Sequence, residues 1–313
     1  MFTHKRGRIT AGVMALGLTV ALAACSSGSP LDSGSTASPS AGSKTIIVGS
    51  QGFPESDILA QLYGQVLAAN GYTITYAAGI GSRETFIPAL KDGSIDFIPD
   101  YSGNLLYGAD AAAKATSSAD VAAALPAAIA SQNLAVLAAA PAQDADALVV
   151  TKEFAAANKL TSIADLASIA STITIGANTE FEGRPYGRTG LTSVYGVTGW
   201  AFKAIEDYGG PGTLSDLLAN NIQVADIYTT TPSIKQNKLV VLQDPKNLIA
   251  AQNIVPLFNK AFATPAVAAL LNPVSAKLTT AELLTLNETS SGASKPSAAS
   301  VATDWLKANG FLK

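Results

Sequence analysis

Few residues in this 313-residue chain can do covalent chemistry, and their types narrow what the protein does. Its only histidine, His4, and its only cysteine, Cys25, both lie near the N-terminus. The long remainder therefore has no Ser-His or Cys-His nucleophile, no His- or Cys-ligated zinc and no disulfide. Carboxylates remain, and Glu180 with Glu182 is the pair a surface glycosidase would use. Such an enzyme needs two carboxyl groups flanking a scissile bond. Residues two apart sit side by side on a strand and do not face each other on a helix. An enzyme is thus the weakest reading of the sequence, and neither a cofactor nor a metal is expected.

Cys25 carries a different chemistry. Lys5, Arg6 and Arg8 form a positive start, and Ile9 to Ala24 form an apolar run. The run is too short and too rich in Ala and Gly to span a bilayer, so residues 1–24 read as a signal peptide. Leu22-Ala23-Ala24-Cys25 resembles the lipobox of bacterial lipoproteins, which implies that Cys25 is acylated and becomes the mature N-terminus. The alternative is an ordinary secretory signal with a chance Cys at its end. Acyl chains contribute about 0.8 kcal/mol per buried methylene, and stable anchoring takes two or more of them. Residues 25–44 are Ser-, Gly-, Pro- and Thr-rich and cannot offset the entropy of ordering, so they read as the anchored Cys and a flexible linker. The expected location is the extracytoplasmic face of the cell membrane. Removing the signal leaves 17 basic residues against 23 acidic ones, a net charge of −6 without a basic run. That argues against nucleic acid as a partner.

The elements that must position any site begin at Thr45. Thr45–Gly49, Tyr72–Ala77 and Ile95–Pro99 read as strands, with Glu55–Ala69 and Arg83–Leu90 as helices between them. A second unit starts near Asp146, with strands at Ala147–Thr151, Thr172–Gly176, Gln223–Tyr228 and Leu239–Gln243. Helical segments at Ile163–Ile169 and Pro232–Asn237 separate them. The tail is helical at Pro265–Leu271, Thr280–Leu286 and Ala299–Asn309, with Thr264-Pro265 as a helix start. Trp200 and Phe202 fall in a helical pattern with Ile205 and read as core. This alternation argues for an α/β fold of two lobes with parallel sheets covered on both faces.

Several blocks, in order, resemble the substrate-binding proteins of osmoprotectant ABC importers, which take glycine betaine, choline or carnitine. Ile47-Val48-Gly49-Ser50-Gln51-Gly52-Phe53-Pro54-Glu55 is similar to that family's opening strand and turn. Leu90-Lys91-Asp92-Gly93-Ser94-Ile95-Asp96-Phe97-Ile98-Pro99-Asp100-Tyr101-Ser102-Gly103 carries the most specific likeness. Glu180-Phe181-Glu182-Gly183-Arg184 with Gly190-Leu191 and Tyr195-Gly196, then Asp226-Ile227-Tyr228-Thr229-Thr230, complete the match from about Thr45 to the C-terminus. The resemblance implies a two-lobed, periplasmic-binding-protein-like (type II) fold with a ligand cleft between lobes. It places residues 45–145 in lobe 1, 146–252 in lobe 2, and 253–313 back on lobe 1. Its partners would be a small-molecule ligand, the membrane permease of an ABC importer, and the membrane through lipid on Cys25.

A quaternary ammonium offers no conventional hydrogen-bond donor and is held by aromatic faces, while a ligand carboxylate takes an Arg. By the resemblance, Tyr101 and Tyr228 fill two positions of a tyrosine box, and Arg184 is the carboxylate-binding arginine. The chain departs from the family at four further ligand positions. Gln51 stands for the usual Lys, Asp146 and Gln252 for two box tyrosines, and Asn104 for a Thr. Tyr186 and Tyr195 are read as packing or rim residues. These polar replacements keep open a second ligand class, a polyol, sugar or amino-acid derivative. An adhesin or scaffold would show a large exposed apolar patch instead of a cleft.

Overall fold

The computed structural model describes residues 44–313, so the signal-peptide and Cys25 expectations lie outside the described residues. The first stretch runs β1 (Thr45–Gly49), α1 (Pro54–Ala69), β2 (Thr73–Ala77), α2 (Arg83–Asp92), β3 (Phe97–Tyr101), α3 (Ser102–Ala109), α4 (Ser118–Ala130) and β4 (Leu134–Val136). Then come β5 (Leu148–Val150), α5 (Lys152–Asn158), β6 (Thr174–Ala177), α6 (Arg188–Tyr195), β7 (Ala201–Ala204) and α7 (Pro211–Leu218). They are followed by β8 (Val224–Asp226), α8 (Ser233–Gln236) and β9 (Val240–Val241). The chain ends with β10 (Ile254–Asn259), α9 (Pro265–Lys277), α10 (Thr280–Ser291) and α11 (Ala298–Ala308).

Two five-stranded sheets result, in the orders β2-β1-β3-β10-β4 and β7-β6-β8-β5-β9. The strands β1, β3 and β10 of the first sheet are apolar along most of their length, because helices cover both faces. Ile58, Leu62, Tyr63 and Leu67 of α1 are buried on one face against α9, α10 and α11. Phe86 and Leu90 of α2, with Val121 and Leu125 of α4, cover the other face. The second sheet has its own two cores, one around Ile175, Leu191 and Trp200, the other around Val149, Leu217 and Ile227.

Neither sheet is all parallel, which corrects the expectation from alternation. β10 runs antiparallel to β3 and β4, and β5 antiparallel to β8 and β9. Both reversed strands arrive directly from the other sheet and enter at the cleft end, so no crossover helix imposes a parallel direction. The helical reading around Trp200 is also corrected. Ala201–Ala204 is an edge strand pairing with β6, although Trp200 itself is buried as expected. The sequence pattern missed α3, which is only eight residues long with two glycines, α4, which is Ala-rich, and β10.

The two segments that pass between the sheets pair with each other. Asp144 N–H donates to Gln252 O at 3.1 Å and Ile254 N–H to Ala142 O at 3.1 Å, with an antiparallel bridge between Gln143 and Asn253. Gly103, in the first turn of α3, lies against this crossing. A Cβ on Gly103 would sit 2.7 Å from Ala251 O and 3.1 Å from the Ala250 methyl, with backbone on one side. Gly103→Ala should therefore destabilise the protein by roughly 1–3 kcal/mol in urea unfolding. Gly108→Ala, in the same helix, meets only the Arg83 side chain at 3.9 Å and should be neutral or slightly stabilising.

Candidate functional site

The site forms where strand ends from both sheets face each other. β1 ends at Gly49 and turns through Ser50, Gln51, Gly52 and Phe53 into α1. That turn is held locally: Gln51 N–H donates to Ser56 Oγ at 2.8 Å, and Ser50 Oγ donates to Asp57. Glu55 and Asp57 in the first turn of α1 complement its dipole. The turn leaves the Phe53 ring half-buried among three tyrosines. Its centroid lies 6.0 Å from that of Tyr101, 5.5 Å from Tyr208 and 5.4 Å from Tyr228. The cluster thus draws rings from both sheets.

β3 delivers Asp100 and Tyr101 at its end. Asp100 is fully buried and receives Arg83 Nε at 3.1 Å, a second guanidinium bond through Nη2, and Gln51 Nε2 at 3.3 Å. Burial works against the Arg83 charge, and Asp100 beside it more than restores it. From the second sheet, Asp146 precedes β5, Asp226 ends β8, and Tyr228 follows it. Asn178, Glu180 and Arg184 follow β6. The Arg184 loop is fixed by a close approach: a Cβ on Gly190 would fall 2.0 Å from Pro185 O, which explains a glycine at that position. Arg184 Nη1 and Nη2 donate to Glu84 of the first lobe at 3.1 and 3.5 Å.

These groups line two small adjoining spaces, both partly open to solvent. Gln51, Arg83, Asn104, Asp146 and Tyr228 line both. Arg184 lines only one of them and Tyr101 only the other. Six of the seven ligand positions expected from sequence therefore converge on one cleft. The seventh, Gln252, does not line it. Its side chain is fully buried behind Asn104, whose backbone N–H donates to Gln252 Oε1 at 2.9 Å. Gln252 lies on the crossing segment, where the resemblance left no local motif to fix the register.

Sequence reasoning also missed residues. Arg83, Asp226, Phe53 and Tyr208 line the cleft. Tyr186 packs against Phe181 in a core of the second sheet and also borders the cleft. Phe53 and Asp226 stood inside the blocks that carried the resemblance. Tyr208 carried a local signal, the following Gly209-Gly210 turn that projects it. Tyr195 packs elsewhere, donating to Asp244 and accepting from Lys246 N–H at 2.8 Å. Among the described residues no cluster of three or more potential metal ligands occurs.

Behind the rings, the two lobes meet at a buried acidic seam. Glu55 accepts from Tyr101 Oη at 2.7 Å, from Thr230 Oγ1 at 2.5 Å and from Asn287 Nδ2 at 2.5 Å. Asp144 accepts from Thr230 N–H at 2.8 Å and Thr229 Oγ1 at 3.2 Å. Burial pushes both carboxyl groups up, Asp144 well above its usual range with Glu55 adding to the shift. Burial also raises Asp226 well above the usual range, with Asp146 as the next contribution.

Comparison with known proteins places this geometry in context. The model of the family described as the substrate binding domain of ABC-type glycine betaine transport system matches residues 44–308. A glycine-betaine-binding protein of Pseudomonas aeruginosa is 26% identical over 264 residues, covering 78% of this chain and 81% of that protein. The glycine betaine-binding protein YehZ of Escherichia coli is 26% identical over 278 residues, covering 85% and 91%. The crystal structure of a glycine betaine/carnitine/choline ABC transporter superposes with a TM-score of 0.68 at 21% identity, over 86% of this chain and all 100% of that one. The fold is that of type II periplasmic binding proteins.

The buried seam makes stability depend on pH with a definite sign. A carboxyl whose pKa is raised by folding holds its proton longer in the native state than in the unfolded one. Its contribution is complete below the ordinary carboxylate pKa near 4 and is lost as pH rises through the raised native value. The ligand-free protein should lose thermal stability as pH rises from about 4 into the neutral range, and Asp144→Asn should flatten that slope. Melting curves from pH 4 to 8 measure it. A wild-type slope unchanged in Asp144→Asn would rule the seam out as its source.

Proposed function

As the chain belongs to the family of substrate-binding domains of ABC-type glycine betaine transport systems, we propose that it captures a quaternary-ammonium compatible solute of the glycine betaine, choline or carnitine type. It would deliver this solute to the permease of an ABC importer. Members of this family bind and hand over a solute and carry out no reaction on it. The observation that carries the ligand class is the ring cluster of Phe53, Tyr101, Tyr208 and Tyr228, drawn from both lobes around a cleft that also holds Arg184. Each ring face adds about 0.5–2 kcal/mol of cation–π attraction to a desolvated cation.

Closure of the lobes completes the box, because its rings come from opposite sides. Polar contacts between the lobes would hold the closed form, among them Arg184 to Glu84, Asn104 Nδ2 to Asp146 at 2.9 Å, Thr230 to Glu55, Asn287 Nδ2 to Thr230 O at 3.2 Å and Lys235 to Glu288 at 3.1 Å. A ligand that bridges the lobes adds to these and shifts the population toward closure. The permease would then read the closed arrangement. A second reading, the same importer with another polar solute, is supported by Gln51, Asn104 and Asp146, which line the cleft where the family has Lys, Thr and Tyr.

The protein would act on the extracytoplasmic side, held by lipid on Cys25. No helix among the described residues is long and apolar enough to cross a membrane, so an anchor outside them fits the role. Cys25→Ser should move the exported protein from the membrane fraction to the soluble one. Its continued sedimentation with membranes would remove the anchor from the proposal.

Calorimetric titration with glycine betaine, choline, carnitine and proline betaine tests the ligand class. At least one should bind, and Tyr228→Ala or Tyr101→Ala should weaken it by about 0.5–2 kcal/mol per ring. Binding of polyols or sugars, with no response to the four cations at millimolar concentration, would transfer the assignment to the second reading.

A further inference from the structure

The seam behind the rings joins the lobes through acids that no base pairs. Glu55 stands in the first turn of α1, and its partners in the first lobe are neutral. Tyr101 Oη donates to Oε1 at 2.7 Å, and Asn287 Nδ2 of α10 donates to Oε2 at 2.5 Å. Thr230, from the loop after β8 in the second lobe, binds two carboxyl groups at once. Its Oγ1 donates to Glu55 Oε2 at 2.5 Å, and its N–H donates to Asp144 Oδ1 at 2.8 Å. Glu55 and Asp144 thereby come within hydrogen-bond reach of each other, each only 5% exposed.

Two carboxylates so placed repel unless a cation or a proton lies between them. Among the described residues no Lys or Arg forms an ion pair with either. The titratable groups facing the pair are Tyr101 from β3 and Tyr228 beyond β8, while α10 presents the neutral Asn287. Charged residues on the surrounding elements are engaged elsewhere. Ser50 Oγ binds Asp57 of α1, Arg83 binds Asp100 of β3, and Lys235 binds Glu288 of α10 at 3.1 Å. Glu206 and Asp207, which border the groove outside the seam, accept from Thr179 N–H and Thr213 N–H at 3.0 Å each. Asp146, further along the crossing, faces the cleft beside Asp226. A proton is what remains to join Glu55 to Asp144, and it turns their repulsion into a hydrogen bond.

Opening the lobes would withdraw Thr230 from Glu55 and admit water to both carboxyl groups. Resting on the closure read for the cleft, we propose that closing the lobes traps one proton between Glu55 and Asp144, so that solute capture takes up a proton and its departure releases the lobes. The proton comes from solvent, and no bond to the solute forms or breaks. Linkage gives the sign. Affinity is complete below the ordinary carboxylate pKa near 4 and is lost as pH rises through the higher value of the closed form, by up to about 10-fold per pH unit for one proton.

Change in proton count on binding is the test. Choline has no group that titrates between pH 5 and 8, and calorimetric titrations in two buffers of different ionisation enthalpy count the protons exchanged. Asp146 and Asp226 contribute with the opposite sign, since a cation beside them favours proton loss, so Glu55→Gln is used to isolate the seam. Wild type should take up more protons than Glu55→Gln, by up to about one per choline bound, and its affinity should fall more steeply with pH. Equal proton counts in the two proteins would overturn the latch. Small-angle scattering of the solute-free protein needs no ligand. Its radius of gyration should increase from pH 5 to 8 in wild type and change less in Glu55→Gln; the same increase in both, or none in wild type, would overturn the latch as well. Absence of choline binding would count against the ligand reading alone and leave the scattering to decide the latch. Asp144→Asn should behave as Glu55→Gln does and replaces it if that variant fails to fold.

Discussion

The paired crossing between the two sheets is the constraint from which the site follows. Each sheet could bury its own faces without the other, since each has helices on both sides and its own apolar cores. What joins them is a short antiparallel pairing of residues 142–144 with 252–254. That pairing sends β5 and β10 into their sheets from the cleft end, reverses their direction, and sets Asp144 and Asp146 at the mouth of the second lobe. Gly103 and the Gln252 amide brace it from the first lobe. Because only these strands connect the lobes, small rotations about them change the cleft while leaving both cores intact.

Charge is distributed over the cleft with a clear division. Among the described residues the one deeply buried ion pair, Arg83 with Asp100, stays within the first lobe and gives the floor a fixed arrangement. Breaking either half would strand a buried charge, which is why such pairs act as rigid features more than as net stabilisers. Asp146, Asp226 and Glu180 in the cleft, and Glu55 with Asp144 behind the rings, make no ion pair among the described residues. Burial raises the pKa of Glu55, Asp144, Asp226 and Glu180, which favours their neutral forms and lets hydrogen bonds in place of cations satisfy them.

Much of this was legible in the sequence, for reasons that differ by element. β1, α1, β2 and α2 were readable because their apolar periods change cleanly from strand to helix. The strand-end tyrosines Tyr101 and Tyr228 were readable because both sit in blocks with distinctive order. Strand direction was not, since the reversal of β5 and β10 is decided by where the chain re-enters and not by local pattern. Gln252 was misplaced for a related reason: the crossing is irregular, and a shift of one residue exchanges the inward and outward faces. Asp226 and Arg83 were overlooked because a charged residue beside a strand or at a helix start reads as solvated until a partner lobe covers it. The Phe53 ring became part of the site only through contact with Tyr208 and Tyr228, which no local signal relates to it.

The proposed function requires rings from both lobes to enclose one cation, and a crystal structure of the protein grown with choline is the sharpest check. The ammonium nitrogen should lie within about 6 Å of ring centroids from both lobes, Tyr101 or Phe53 on one side and Tyr228 or Tyr208 on the other. A cation bound away from these rings, or touching aromatic residues of a single lobe in a fully closed protein, would contradict it.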